Sequence, residues 1–168
     1  SVLRHFRIDK TTGASINQRS YAVASYSHAE FLGAGGKGGL STEGLAITTL
    51  DSGLFQGAGS GLTSAAQLTG KGSVLTGPGV TFDVTEKSTL DNWNFKGIPV
   101  NYTSGTHILR NAVLDSSPIT TSAYPISIIG SVLFGNAASV PAIKQPNNGD
   151  LRIIHSTIVD NAYYGVSI

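Results

Sequence analysis

The sequence predicts an all-β chain that folds as a right-handed parallel β-helix, a solenoid in which each repeat forms one coil. Three observations support this prediction. Four segments of the second half share one pattern, at steps of 19, 19 and 25 residues. Glycine is frequent, at 21 of 168 residues, which is typical of a chain with many tight turns. The repeats also lack the stretch of roughly ten residues with helical periodicity that an intervening helix needs.

Composition excludes several classes of function. The formal net charge is +1 and only 12% of the residues are charged, so a basic face for nucleic acid is excluded. There is no cysteine, which excludes disulfides, thiolate metal sites and cysteine nucleophiles. No apolar run approaches the roughly 18 residues of a membrane span, so no membrane insertion is expected.

No motif in the sequence predicts a cofactor or a metal ion. The glycine-rich segment at residues 33–38 formally fits a dinucleotide-binding pattern. However, no helix pattern follows it, so we interpret it as a loop. The four histidines are widely scattered along the chain. We therefore expect neither a cofactor nor a metal site.

The repeat is defined by three columns of aligned residues. The first apolar column contains Leu90, Leu109, Ile128 and Ile153. The second apolar column contains Phe95, Leu114, Leu133 and Ile158. Between them lies a column of Asn92, Asn111, Gly130 and His155. Asparagine and glycine tolerate the left-handed backbone region. Each repeat therefore predicts a short strand, a sharp bend and another short strand, and the apolar columns predict two buried ladders.

Stacking of the repeats explains how such short strands bury a face. In a parallel β-helix, equivalent residues of successive coils lie about 4.8 Å apart. Asp91 then falls beside Arg110, and Lys96 beside Asp115, so both neighbouring pairs have opposite charges. The uneven repeat length argues against the strict six-residue period of a left-handed helix and favours the right-handed form.

The chain divides at about residue 67 in this interpretation. Residues 1–67 form a lead-in or capping region, with predicted strands at residues 3–8 and 20–26 and glycine-rich loops at 33–39 and 53–61. Residues 68–168 form the β-helix coils. Residues 163–168 have the pattern of a strand in an unfinished coil, so we expect the polypeptide to continue or another chain to cover this end.

The glycine-rich segment at residues 75–84 and the repeats of the form Leu-x-Asn-x-x-Phe, seen at residues 90–95, resemble the pectin-lyase-like right-handed parallel β-helix family over roughly residues 68–168. Within that family, this combination of a glycine-rich segment and short repeats is most similar to the sequences of phage tailspikes and virion adhesins. This resemblance implies a rigid attachment shaft or receptor-binding element on a phage virion or a cell surface. Its partners would be copies of itself, as a homotrimer, or other virion proteins, and a bacterial surface polysaccharide.

Two alternatives to the adhesin remain open. One is a polysaccharide depolymerase, acting as a glycoside hydrolase or lyase, and the other is a purely structural virion decoration module. Glycoside hydrolysis uses two carboxylates that flank the scissile bond. The candidates in the repeat region are Asp91, Asp115 and Asp160. Asp91 and Asp115 each share a column with a basic residue, which favours a solvated surface charge over a general acid.

Aromatic residues are the candidates for carbohydrate binding, because their faces stack on sugar rings. The candidates are Trp93, Tyr102, Tyr124 and Tyr163, with Tyr164 beside the last. Trp93 stands in a column whose other members are Ala112, Ser131 and Ser156. Each of these aromatic residues has an alternative role in packing, either inside the β-helix or against another chain.

Overall fold

The computed structural model describes residues 1–9, 16–33, 39–42, 44–122, 125–145 and 149–168, with the side chains of residues 64–66 left out. Within these ranges the chain is all-β and contains no helix. Its parallel strands stack as a β-solenoid of about seven turns. The predicted fold class is therefore confirmed. The described residues contain no helix of the length and apolarity needed to span a membrane.

Twenty strands are described. They are β1 (Val2–Asp9), β2 (Ile16–Gln18), β3 (Val23–Leu32), β4 (Leu40–Thr42), β5 (Ile47–Asp51), β6 (Leu54–Gln56), β7 (Gly61–Lys71), β8 (Val74–Thr76), β9 (Thr81–Asp91), β10 (Asn94–Lys96), β11 (Val100–Tyr102), β12 (Thr106–Arg110), β13 (Val113–Asp115), β14 (Ile119–Thr121), β15 (Ile126–Ile129), β16 (Val132–Phe134), β17 (Ile143–Lys144), β18 (Leu151–Ile154), β19 (Thr157–Val159) and β20 (Val166–Ser167).

Each coil contributes strands to three parallel sheets that run along the solenoid axis. The first sheet contains the early parts of β1 and β3, then β5, the late parts of β7 and β9, and β12, β15 and β18. The second contains the late parts of β1 and β3, then β6, β8, β10, β13, β16 and β19. The third contains β2, β4, the early parts of β7 and β9, and β11, β14, β17 and β20.

Both predicted ladders are present in the register of the strands. Leu90 pairs with Leu109, Leu109 with Ile128, and Ile128 with Ile153. The second column follows the same pattern from Phe95 to Ile158. The side chains are fully buried except in the final described coil, where Ile153 is 37% exposed and Ile158 is partly buried. In that coil each strand has a neighbour on one side only, so the end of each ladder is less covered.

The predicted bend column is also confirmed, and it extends through every described coil. All its members have positive φ angles. They are His5, His28, Ser52, Gly72, Asn92, Asn111, Gly130 and His155. The left-handed backbone turns the chain from the first sheet to the second at the same place in each coil. Backbone hydrogen bonds continue along this corner, for example from Asn92 N to Arg110 O at 2.9 Å.

The two charge pairs occupy the predicted register. Asp91 pairs with Arg110 across β9 and β12, and Lys96 pairs with Asp115 across β10 and β13. Lys96 Nζ lies 4.0 Å from Asp115 Oδ2. Asp91 Oδ1 instead accepts a hydrogen bond of 2.7 Å from Asn111 Nδ2. These exposed contacts support the register, and each contributes little to stability.

The strands of residues 1–67 belong to the same stack as the later coils. The predicted strand at residues 3–8 lies in β1, and the one at residues 20–26 overlaps the start of β3. The glycine-rich segment 53–61 contains β6 and the turns around it, whereas residues 34–38 lie outside the described ranges. β7 runs across residue 67 and pairs on both sides of it, so the stack is continuous there.

Candidate functional site

The predicted aromatic residues lie in two different environments. Trp93 is 1% exposed and Tyr102 is 2% exposed, so neither ring offers a face to a sugar. Tyr163 and Tyr164 are 48% and 61% exposed, and their ring centroids are 4.4 Å apart. Tyr124 lies outside the described residues. The exposed tyrosine pair therefore remains a candidate for ligand contact, while Trp93 and Tyr102 pack in the core.

Trp93 is buried because the interior provides space and a partner for its large ring. Its Nε1 donates a hydrogen bond of 3.0 Å to the carbonyl oxygen of Gly70. The ring packs against Phe82 and Phe95, with both centroids at 5.9 Å. The small residues that follow it in its column, which include Ala112, leave the space that the indole occupies. This arrangement satisfies the only polar atom of the side chain.

The three candidate carboxylates lie at separate places on the coils. Asp91 is at the end of β9, just before the first bend, whereas Asp115 is at the far end of the second-sheet strand β13. Asp160 follows β19, two coils beyond Asp115, which corresponds to about 10 Å along the axis. Asp115 accepts a hydrogen bond from Ser116 Oγ at 3.0 Å in addition to its contact with Lys96. Each carboxylate is thus placed as an individual surface group.

A cleft of about 400 Å³ lies at the first bend of the two N-terminal coils. We call it the bend cleft, and its lining consists of His5, Phe6, Arg7, His28 and Glu30. The His5 and His28 rings are stacked, with centroids 4.6 Å apart and planes inclined by 16°. They stack because they occupy the same bend position in adjacent coils. Two imidazole rings are thereby held face to face at the cleft.

Opposite charges meet in the bend cleft. Arg7 Nη1 lies 4.0 Å from Glu30 Oε2, and Arg7 Nη2 lies 3.4 Å from Asp9 Oδ2. The side chains of Arg7 and Glu30 are 60% and 46% exposed, so both retain hydrogen-bonding capacity toward solvent or a ligand. Arg7 and Glu30, which both line the cleft, carry opposite charges. Planar rings beside paired donors and acceptors suit an uncharged polyhydroxy ligand.

Sequence reasoning missed the bend cleft. His5 and His28 are separated by 23 residues and share no recognised motif, so the sequence around each gives no sign that the two rings meet. The bend column could have revealed them, because one histidine, His155, is among its predicted members. Extending the column toward the N-terminus through Asn92 and Gly72 would have aligned His28 and His5.

A second group of polar residues lies inside the solenoid. Ser88 Oγ is 3.0 Å from His107 Nδ1, and His107 Nε2 is 2.5 Å from the carbonyl oxygen of Ser104. A carbonyl oxygen only accepts, so Nε2 carries the proton and Nδ1 accepts from the Ser88 hydroxyl. The Tyr102 ring lies against His107, with centroids 4.3 Å apart. Because His107 is 1% exposed, this group holds adjacent coils together and is closed to ligands.

Burial controls the titration of this interior group. It lowers the pKa of His107 from 6.5 to about 4, although the hydrogen bond to Ser104 opposes the shift. Burial also raises the pKa of Tyr102. Both residues are therefore neutral at pH 7.

We expect the protein to lose stability as the pH falls from about 6.5 to about 4, and His107 to account for part of the loss. In that window the unfolded chain binds a proton at residue 107 and the folded chain does not, so acid favours unfolding. Thermal melts of wild type and His107→Gln across this range measure the effect. The wild-type melting temperature should fall by several degrees more than that of the variant. Parallel pH profiles would contradict the assignment.

Comparison with known proteins gives no match to a family model, to a curated protein or to a solved structure. The assignment of the fold as a parallel β-solenoid therefore rests on the pairing of its strands. Among the described residues no group of three or more histidine or carboxylate side chains is arranged to hold a metal ion.

Proposed function

We propose that this protein is a rigid attachment element of a virion or cell surface that binds a bacterial surface polysaccharide. The observation that carries the proposal is the bend cleft. It combines flat ring faces with a guanidinium and a carboxylate in about 400 Å³, within the usual range for ligand pockets. These are the groups that contact the apolar faces and the hydroxyls of sugar rings.

The architecture supports the mechanical part of this proposal. About seven turns at a spacing of about 4.8 Å give a shaft about 35 Å long. Its interior is filled by ladders of buried side chains, and neighbouring coils are joined by parallel backbone pairing. Close packing and continuous pairing make such a stack stiff. A stiff shaft holds a binding site at a set distance from the surface that carries it.

The tailspike resemblance adds three expectations to the proposal. The chain would associate as a homotrimer, it would belong to a phage virion, and it would fall within the pectin-lyase-like family. Sedimentation equilibrium of the purified chain at tens of micromolar tests the first expectation. A species of one chain mass across the concentration range would contradict the trimer and would leave the glycan proposal to be tested by binding.

Binding to a panel of capsular and O-antigen polysaccharides tests the function. Glu30→Gln and His28→Ala are expected to weaken binding about tenfold or more, because hydrogen bonds to a charged group contribute about 1.5–3 kcal/mol and the imidazole supplies contact area. Biolayer interferometry with immobilised polysaccharide gives the dissociation constants. Equal melting temperatures would show that the variants remain folded.

Tyr163→Ala is the matched control, because it removes an exposed ring at the opposite end of the solenoid. We expect its binding to equal that of wild type. Loss of binding in Tyr163→Ala, with no effect of the two cleft substitutions, would move the site to the tyrosine pair. Absence of binding to every polysaccharide would contradict the function. Release of reducing ends in the same mixtures would identify a depolymerase instead.

A further inference from the structure

An interior column of the third sheet carries polar side chains in three successive coils. Tyr102 pairs in register with Thr121, and Gln145 follows the pair formed by Thr120 and Lys144, so it extends the same column. Tyr102, Thr121 and Gln145 are 2%, 1% and 0% exposed. We refer to these three residues as the polar column. It lies inside the solenoid, far from the bend cleft along the chain.

Four atoms of the polar column have no hydrogen-bond partner in the described protein. They are the Tyr102 hydroxyl, Thr121 Oγ1, and both Nε2 and Oε1 of Gln145. Buried polar groups in folded proteins are almost always hydrogen-bonded, because an unpaired group loses its hydration without compensation. Four such atoms in one column are therefore a specific signal rather than a scattered defect.

Gln18 shows that the fold satisfies a buried glutamine where protein groups are within reach. Gln18 is 4% exposed and lies on β2, in the third sheet. Its Nε2 donates to the carbonyl oxygens of Ala22 and Ile47 at 2.8 and 2.9 Å. Its Oε1 accepts from Thr48 Oγ1 at 3.0 Å. The amide of Gln145 has no such partner among the residues that the structure describes.

We propose that the polar column is an internal hydration site, in which ordered water molecules bridge Tyr102, Thr121 and Gln145. Equivalent positions of successive coils are about 4.8 Å apart, and the polar atoms of Tyr102, Thr121 and Gln145 make no direct hydrogen bond with one another. A single water with two hydrogen bonds of about 2.8 Å spans that distance.

The chemistry of the column selects water over a cation. The column combines two hydroxyls and a carbonyl oxygen with the two N–H donors of Gln145. A metal ion would use the oxygen acceptors and leave Nε2 unpaired, and no carboxylate in the column would offset its charge. Water both donates and accepts, so it satisfies all four atoms. This inference is independent of the proposed polysaccharide binding.

A high-resolution crystal structure of the full chain tests the site directly. We expect a density peak within about 3.2 Å of Thr121 Oγ1 or the Gln145 amide, with hydrogen-bond distances of about 2.7–3.2 Å. A column without such a peak would overturn the proposal. A peak that contacts only oxygen atoms at about 2.3–2.6 Å would identify a cation instead and would also overturn it.

Thermal melts of two substitutions give a second measurement. Thr121→Val keeps the side-chain shape and removes one ligand of the bridging water, so the melting temperature should fall. In a dry column the same change would remove an unpaired hydroxyl, and the melting temperature would rise. Gln18→Leu is the matched control, since it removes partners of Thr48 and two carbonyls and should lower the melting temperature in either case. A rise in Thr121→Val beside a fall in Gln18→Leu would overturn the proposal.

Discussion

Replacement of Trp93 by alanine is expected to reduce the free energy of unfolding by about 3–5 kcal/mol. The side chain is 1% exposed and packs against Phe82 and Phe95 inside the solenoid. The substitution would leave a cavity in the stack and remove the partner of the Gly70 carbonyl oxygen. Equilibrium denaturation in urea, followed by circular dichroism, measures the change.

Tyr163→Ala is the comparison for this experiment, because it also removes an aromatic ring but from an exposed position. It should change the free energy of unfolding by less than about 1 kcal/mol. An equally small effect in Trp93→Ala would show that Trp93 lies on the surface. Polysaccharide binding of Trp93→Ala, measured below its unfolding transition, should match that of wild type, since a core residue does not contact the ligand.

Leu109→Ala is expected to reduce the free energy of unfolding by about 2–5 kcal/mol. Leu109 is fully buried and lies between Leu90 and Ile128 in the first ladder. Its removal breaks apolar contacts with the coils on both sides, and the neighbouring backbone pairing limits collapse into the cavity. Urea denaturation again provides the measurement.

Ile153→Ala is the matched control in the same ladder. Ile153 is 37% exposed and has a ladder neighbour on one side only, Ile128. Its substitution should cost roughly half as much as that of Leu109 or less, because less buried area is lost. A larger effect at Ile153 than at Leu109 would mean that the final coil is covered in solution.

The coils of residues 89–158 could be predicted in detail because their columns repeat residue types as well as polarity. Leucine and isoleucine recur at one inner position, and asparagine or glycine recurs at the bend. Each type is required by a different physical demand, burial at the first and left-handed backbone at the second. The opposite charges at Asp91 and Arg110 then support the same register.

The N-terminal coils follow the same geometry with different residues. Aromatic rings at Phe31 and Phe55 stack at 4.6 Å in the second apolar column, whose members after Phe95 are aliphatic. At the bend, His28 and Ser52 replace asparagine and glycine. Any side chain of suitable shape fills an inner position once neighbouring coils enclose it. The N-terminal coils therefore could not be recognised by the residue types that recur in the repeats of residues 89–158.

The sequence by itself determined the fold class, the two ladders and the bend, because stacked coils place equivalent residues at equivalent depths. Only the tertiary structure decided whether the side chains of Trp93 and Tyr102 point into the solenoid or toward solvent. A left-handed bend at Asn92 interrupts the alternation of the strand, so that Leu90 and Trp93, three residues apart, both point inward. The pairing of His5 with His28 was decided in the same way, because contact between them arises from closing a whole coil and not from any local pattern.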